Sequence, residues 1–142
     1  MLSLSVKVLS TFFAALFTFH SNVGVDSYEI YLNNKLVVRQ SLDKPLQLQD
    51  LNLTDANAAD RLSIRYSQCN APGKTAKARS ITLRNDDGKI VKEWRFKDAE
   101  GEAAQMNIPV KEILNAQKIS GEQLVLYYSA EGLPQGQPLA AL

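Results

Sequence analysis

Beyond residue 25 the chain is written in short runs that alternate apolar and polar residues, with turn-forming clusters between them. A period of two places every second side chain on one face, the pattern of a strand half buried in a sheet. Tyr28-Glu29-Ile30-Tyr31-Leu32 is the first such run, and Lys35 to Gln40 returns after Asn33-Asn34. Asparagine tolerates the positive φ that a two-residue hairpin turn demands, so these two runs predict a hairpin. Arg61-Leu62-Ser63-Ile64-Arg65-Tyr66 alternates cleanly, with Leu62, Ile64 and Tyr66 pointing inward. Ser80 to Arg84 and Lys89 to Phe96 flank Asn85-Asp86-Asp87-Gly88 and predict a second hairpin. Ile90, Trp94 and Phe96 share one face of its return strand, and Lys92 interrupts that face. The interruption implies a bulge or a sheet edge guarded by charge. Gln123 to Tyr128 is the last strong strand.

The remaining segments are less regular. Leu46, Leu48, Leu51 and Leu53 change parity, which predicts a bent or bulged strand near Asp50. Residues 68–77 form a loop around Ala71-Pro72-Gly73. Gln105 to Ile108 is weakly strand-like. Pro109 suits the first position of a helix, and Val110, Ile113, Leu114 and Gln117 keep helical spacing, so a short helix is expected near 109–117. The tail after Gly132 carries Pro134 and Pro138, and its end, Leu139 to Leu142, can still pair as a short edge strand. The pattern as a whole predicts a mainly β protein, a two-sheet antiparallel β-sandwich of six to seven strands with one short helix. A small open β-barrel is the alternative.

Residues 1–25 read as a cleaved export signal. Lys7 supplies the positive charge, residues 8–19 supply an apolar core, and Ser21 and Gly24 are small enough to precede a cut. The core is shorter than the roughly 20 residues that span a bilayer, and no cysteine follows it to take a lipid. The expected product is one domain over residues 26–142, periplasmic or extracellular, in a bacterial setting, with no stable membrane insertion after cleavage.

This reading removes most side-chain chemistry. The chain's one histidine, His20, falls inside the signal, and Cys69 is its one cysteine. Zinc normally takes cysteine or histidine ligands, and nucleophilic cysteine or serine normally takes a histidine base, so no cofactor or metal is expected. Cys69 is left as a candidate for an intermolecular disulfide. Asn85, Asp86 and Asp87 are too closely spaced for a calcium loop. Paired carboxylates are the enzyme chemistry the composition permits, and Glu29, Glu93, Glu122 and Glu131 are the candidates for a small hydrolase.

Binding chemistry has two candidate sets. The 16 basic and 15 acidic side chains balance once Lys7 is removed, so nothing global attracts nucleic acid. Locally, residues 61–84 hold Arg61, Arg65, Lys74, Lys77, Arg79 and Arg84 with no acid among them, a possible polyanion or acidic-glycan surface. Tyr31, Trp94 and Tyr127 are the rings that would stack on sugars. The leading expectation is a non-enzymatic binding or interaction module with a protein or glycan partner. The alternatives are a carbohydrate-binding module or a carboxylate-based hydrolase. Assembly by strand addition would use the tail at 133–142.

Overall fold

The alternating runs become strands because each can bury one face against a second layer. A computed structural model of the chain describes residues 25–68, 76–99 and 104–142. Residues 1–24, Cys69 and Lys74 lie outside the described residues. The strands are β1 (Ser27–Leu32), β2 (Lys35–Ser41), β3 (Gln49–Asp50), β4 (Arg61–Ser67), β5 (Ser80–Arg84), β6 (Ile90–Arg95), β7 (Met106–Pro109), β8 (Val125–Ala130) and β9 (Leu133–Ala141), with one helix, α1 (Val110–Ser120). They form a four-stranded sheet in the order β2-β1-β4-β7 and a five-stranded sheet in the order β3-β9-β8-β5-β6. The two sheets do not join into a barrel, and the sandwich expected from the alternation forms, with nine strands among the described residues rather than the six to seven expected. All pairs are antiparallel except β3 with β9.

The core lies between the sheets. Tyr28, Ile30, Leu62, Ile64, Tyr66, Met106 and Ile108 face it from the four-stranded sheet, and Ile81, Leu83, Leu126, Tyr128 and Leu139 from the other. Tyr66 joins the two layers. Its ring stacks on Tyr28 at 6.2 Å between centroids and on Tyr128 of the opposite sheet at 4.0 Å. The Tyr28 hydroxyl donates to the carbonyl of Leu139 (2.8 Å) and the Tyr66 hydroxyl to Asp26 Oδ2 (2.9 Å).

The hairpin turn between β1 and β2 forms as expected. Asn33 and Asn34 take φ of 48° and 66°. Asn33 also exchanges backbone contacts with Arg61: its N–H donates to the Arg61 carbonyl, and its Oδ1 accepts the Arg61 N–H, both at 3.0 Å. Asn33→Ala is therefore expected to cost about 1–2 kcal/mol, from the left-handed backbone and the lost hydrogen bond. A urea midpoint unchanged from the parent would show that the turn does not set this register.

Several expectations need correction. The leucines of residues 46–53 do not form a bulged strand. Only Gln49 and Asp50 pair, because this segment crosses from the edge of one sheet to the edge of the other and cannot stay in either ladder. Leu51 is buried, while Leu48 stays exposed. The tail is not a short edge strand. It forms the nine-residue β9, held between β8 and β3, with register shifts at Leu126/Tyr127 and Tyr128/Ala130. These irregularities accommodate the Pro134 and Pro138 that read as strand breakers. The tail is paired with β8 in its own sheet rather than standing free as a donor arm. The helix starts one residue later and runs three residues further than expected. Pro109 caps it, and Gly121, at φ 62°, ends it with an N–H bond to the Gln117 carbonyl.

Helix α1 seals the side of the sandwich between β7 and β6. Val110, Ile113, Leu114 and Ala116 enter the core, and Lys118 reaches Asp55 at 3.4 Å.

Candidate functional site

The residues singled out in the sequence fall on three separate surfaces. Tyr31, Arg61 and Arg65 project from the outer face of the four-stranded sheet. There Glu29 lies between Arg39 on β2 and Arg65 on β4. The Tyr31 hydroxyl donates to Glu29 Oε2, Arg39 approaches the same oxygen at 3.6 Å, and the Arg65 guanidinium sits 5.7 Å from the Tyr31 ring centre. The Tyr31 hydrogen bond, followed by the two arginines, holds the Glu29 carboxyl below its usual range. A general acid needs the opposite shift.

Tyr127 projects from the outer face of the five-stranded sheet. Its ring is covered by the Arg84 guanidinium, 4.2 Å from the ring centre. Arg84 is anchored in turn: Nε donates to Thr82 Oγ1 (3.1 Å), Nη1 to the Gln135 carbonyl (2.9 Å) and Nη2 to Ser129 Oγ (3.3 Å). One face of the ring is thus already occupied. Trp94 points the other way, inward from β6 and against the core. Tyr31, Trp94 and Tyr127 therefore do not make one stacking platform.

The basic run is also dispersed. Arg79 is 5% exposed, donating from Nε to the Lys97 carbonyl and from Nη1 to the Ala104 carbonyl, both at 2.9 Å. Arg84 is on the opposite face of the sandwich from Arg61 and Arg65. Lys77 is exposed ahead of β5. The carboxylates separate likewise. Glu93 is on the outer face of β6 and pairs with Arg95 at 2.5 Å, while Glu122 and Glu131 are exposed in turns. None of the four faces another. Asn85 is spent on its own turn, with Oδ1 accepting from the N–H groups of Asp87 and Lys89. Among the described residues, no group of three or more His, Cys, Asp or Glu is placed to hold a metal ion.

The surface the sequence reading missed is where α1 meets β6. A groove of about 380 Å³ is lined there by Val91, Lys92, Ala116, Ile119 and their neighbours, and bridged by the Lys92–Glu112 ion pair at 3.6 Å. Ile119 is 87% exposed, and Ile90 on the adjoining strand 46%. A register shift at Leu83/Arg84 explains both β6 anomalies. It sets Ile90 opposite Arg84 on the outer face, and leaves Lys92 on the inner side with Trp94. Lys92 Nζ lies 5.7 Å from the Trp94 ring centre. A signal for this site was present. Ile119 breaks the apolar stripe of Val110, Ile113 and Leu114 and falls on the far side of the helix.

Among known protein families, curated proteins and solved structures, none matches this chain.

Proposed function

We propose that the domain is an exported, non-enzymatic interaction module that engages a protein partner along the side of the sandwich where α1 meets β6. The observation that carries this reading is Ile119. An isoleucine 87% exposed to water adds little to the core, and it borders a groove with an apolar floor beside an edge strand. Ile119 shares that concavity with the half-buried Val91, and Lys92 and Glu112 rim it with charge, a make-up that suits a small protein contact. The groove is at the small end of ligand pockets, room for one or two side chains rather than a whole small-molecule substrate. Export rests on the signal-like character of residues 1–25. The separation of the four glutamates favours binding over hydrolysis, and the covered Tyr127 ring favours a protein over a glycan.

A photo-crosslinking side chain at position 119, introduced in the native cells, tests the reading. The expected result is a discrete protein adduct from position 119 and none from positions 31 or 127. No adduct at 119, or equal labelling at all three positions, rejects it.

A further inference from the structure

Edge strands carry unpaired backbone groups, and each edge of this sandwich handles them differently. β2 has Lys35 and Arg39 and no acid, so pairing with its own copy would oppose like charges. β7 runs straight into α1, β3 has only two residues, and the part of β9 that β3 leaves uncovered carries Pro134 and Pro138. β6 differs from all of these. It holds both signs of charge and no proline, and among the described residues no strand pairs with its outer side.

The hydrogen-bond phase of β6 follows from one contact. The Phe96 N–H donates to the Arg79 carbonyl at 2.9 Å, which continues the Ser80–Arg95 register. In an antiparallel ladder hydrogen-bonded and open pairs alternate. Phe96, Trp94 and Lys92 therefore turn their backbone groups toward β5, and Glu93 and Arg95 turn theirs to the free edge.

The geometry points to β6 as the strand through which two copies of this chain pair antiparallel, with Trp94 on the two-fold axis. In that register Glu93 of each copy faces Arg95 of the other, so both outward-turned residues form reciprocal backbone bonds and an ion pair crosses on each side of the axis. Shifting by two residues either way sets Glu93 against itself or Arg95 against itself. Charge thus selects one register. The parity also keeps both inner faces on the same side, so the two five-stranded sheets become one continuous sheet. An inward lysine on an edge strand ordinarily deters such pairing. Here the Lys92 ammonium already forms an ion pair with Glu112 of α1 in the same chain, at 3.6 Å. The inference deepens the reading above by naming a second copy as the partner, and it rests on this side of the sandwich being an interaction surface.

The test is the mass in solution of the purified full chain, by sedimentation over a range of concentrations. The parent is expected at twice the chain mass. Glu93→Arg alone and Arg95→Glu alone each set like charges opposite one another on both sides of the axis. Each should weaken association by roughly tenfold or more. The double swap Glu93→Arg/Arg95→Glu should restore it, which also shows that the single variants were not simply misfolded. A parent that stays monomeric, or a dimer indifferent to the single swaps, overturns the proposal. If it fails while position 119 still crosslinks a different protein, the interaction-module reading stands with another partner.

Discussion

Gly136→Ala is expected to destabilise the protein by about 3 kcal/mol, a large share of the total for a domain of this size. Two causes combine. Gly136 sits at φ 85°, where a side chain strains the backbone. A methyl group there would also lie 2.7 Å from Arg84 Nη2 and 2.9 Å from Ser129 Oγ. The arginine tip can swing away, but only by giving up its bonds to Ser129 Oγ and the Gln135 carbonyl and its position over Tyr127. Those contacts tie β5 to β9 across β8.

The two causes separate in a double-mutant cycle. In an Arg84→Ala background the arginine's share of the steric cost of Gly136→Ala disappears, while the contact with Ser129 Oγ and the backbone strain remain, the latter about 1–2 kcal/mol. Denaturant unfolding of the parent, both single variants and the double measures the difference. Strict additivity would mean that Arg84 does not pack against the Gly136 backbone in solution.

How much of this was legible in the sequence depends on which force fixed each element. Where one face of a strand is buried, the period-two pattern specifies both the element and its orientation. Leu62, Ile64 and Tyr66 are inward, and Tyr31, Arg65 and Tyr127 are outward, as the alternation requires. Where tertiary pairing overrode local preference, the reading failed. Pro134, Gly136 and Pro138 are poor strand residues, yet β9 forms because Leu139 and Ala140 are fully buried between β8 and β3. Local propensity does not register that neighbour-supplied stabilisation.

The site was less legible still, because it depends on which strand becomes an edge. Grouping Tyr31, Trp94 and Tyr127 took inclusion in strands as adjacency, whereas the topology sends them to two outer faces and one inner side. Grouping Arg61, Arg65, Arg79 and Arg84 took sequence neighbourhood as spatial neighbourhood. The chain changes sheets between β4 and β5, and Arg79 is drawn inward to bond carbonyls. Lys92 was the better clue. A charge on an apolar strand face marked an edge and a register shift, and the structure has both.

Stability is expected to fall steeply once the pH rises past about 10, through the stacked tyrosines. Burial pushes the Tyr28 and Tyr128 hydroxyls up from an ordinary value of 10.0 to about 12. It pushes Tyr66 up as well, helped by the hydrogen bond to Asp26. Because each folded-state value lies above the unfolded one, the folded protein holds these protons when the unfolded chain has released them. The contribution is complete below about pH 10 and is lost as pH climbs toward the folded values. A two-unit shift is worth roughly 3 kcal/mol, so ionisation of Tyr28 and Tyr128 removes several kcal/mol as the pH approaches 12, with Tyr66 adding to the slope. A domain of ordinary stability unfolds within that window. Denaturant melts at stepped alkaline pH, followed alongside tyrosinate absorbance, should show the buried tyrosines ionising together with unfolding. Tyr66→Phe should lower stability at neutral pH by about 1–2 kcal/mol through the lost bond to Asp26, yet flatten the alkaline slope. Stability that holds level well above pH 10 would mean that water reaches the stack and that its hydroxyls titrate without resisting the fold.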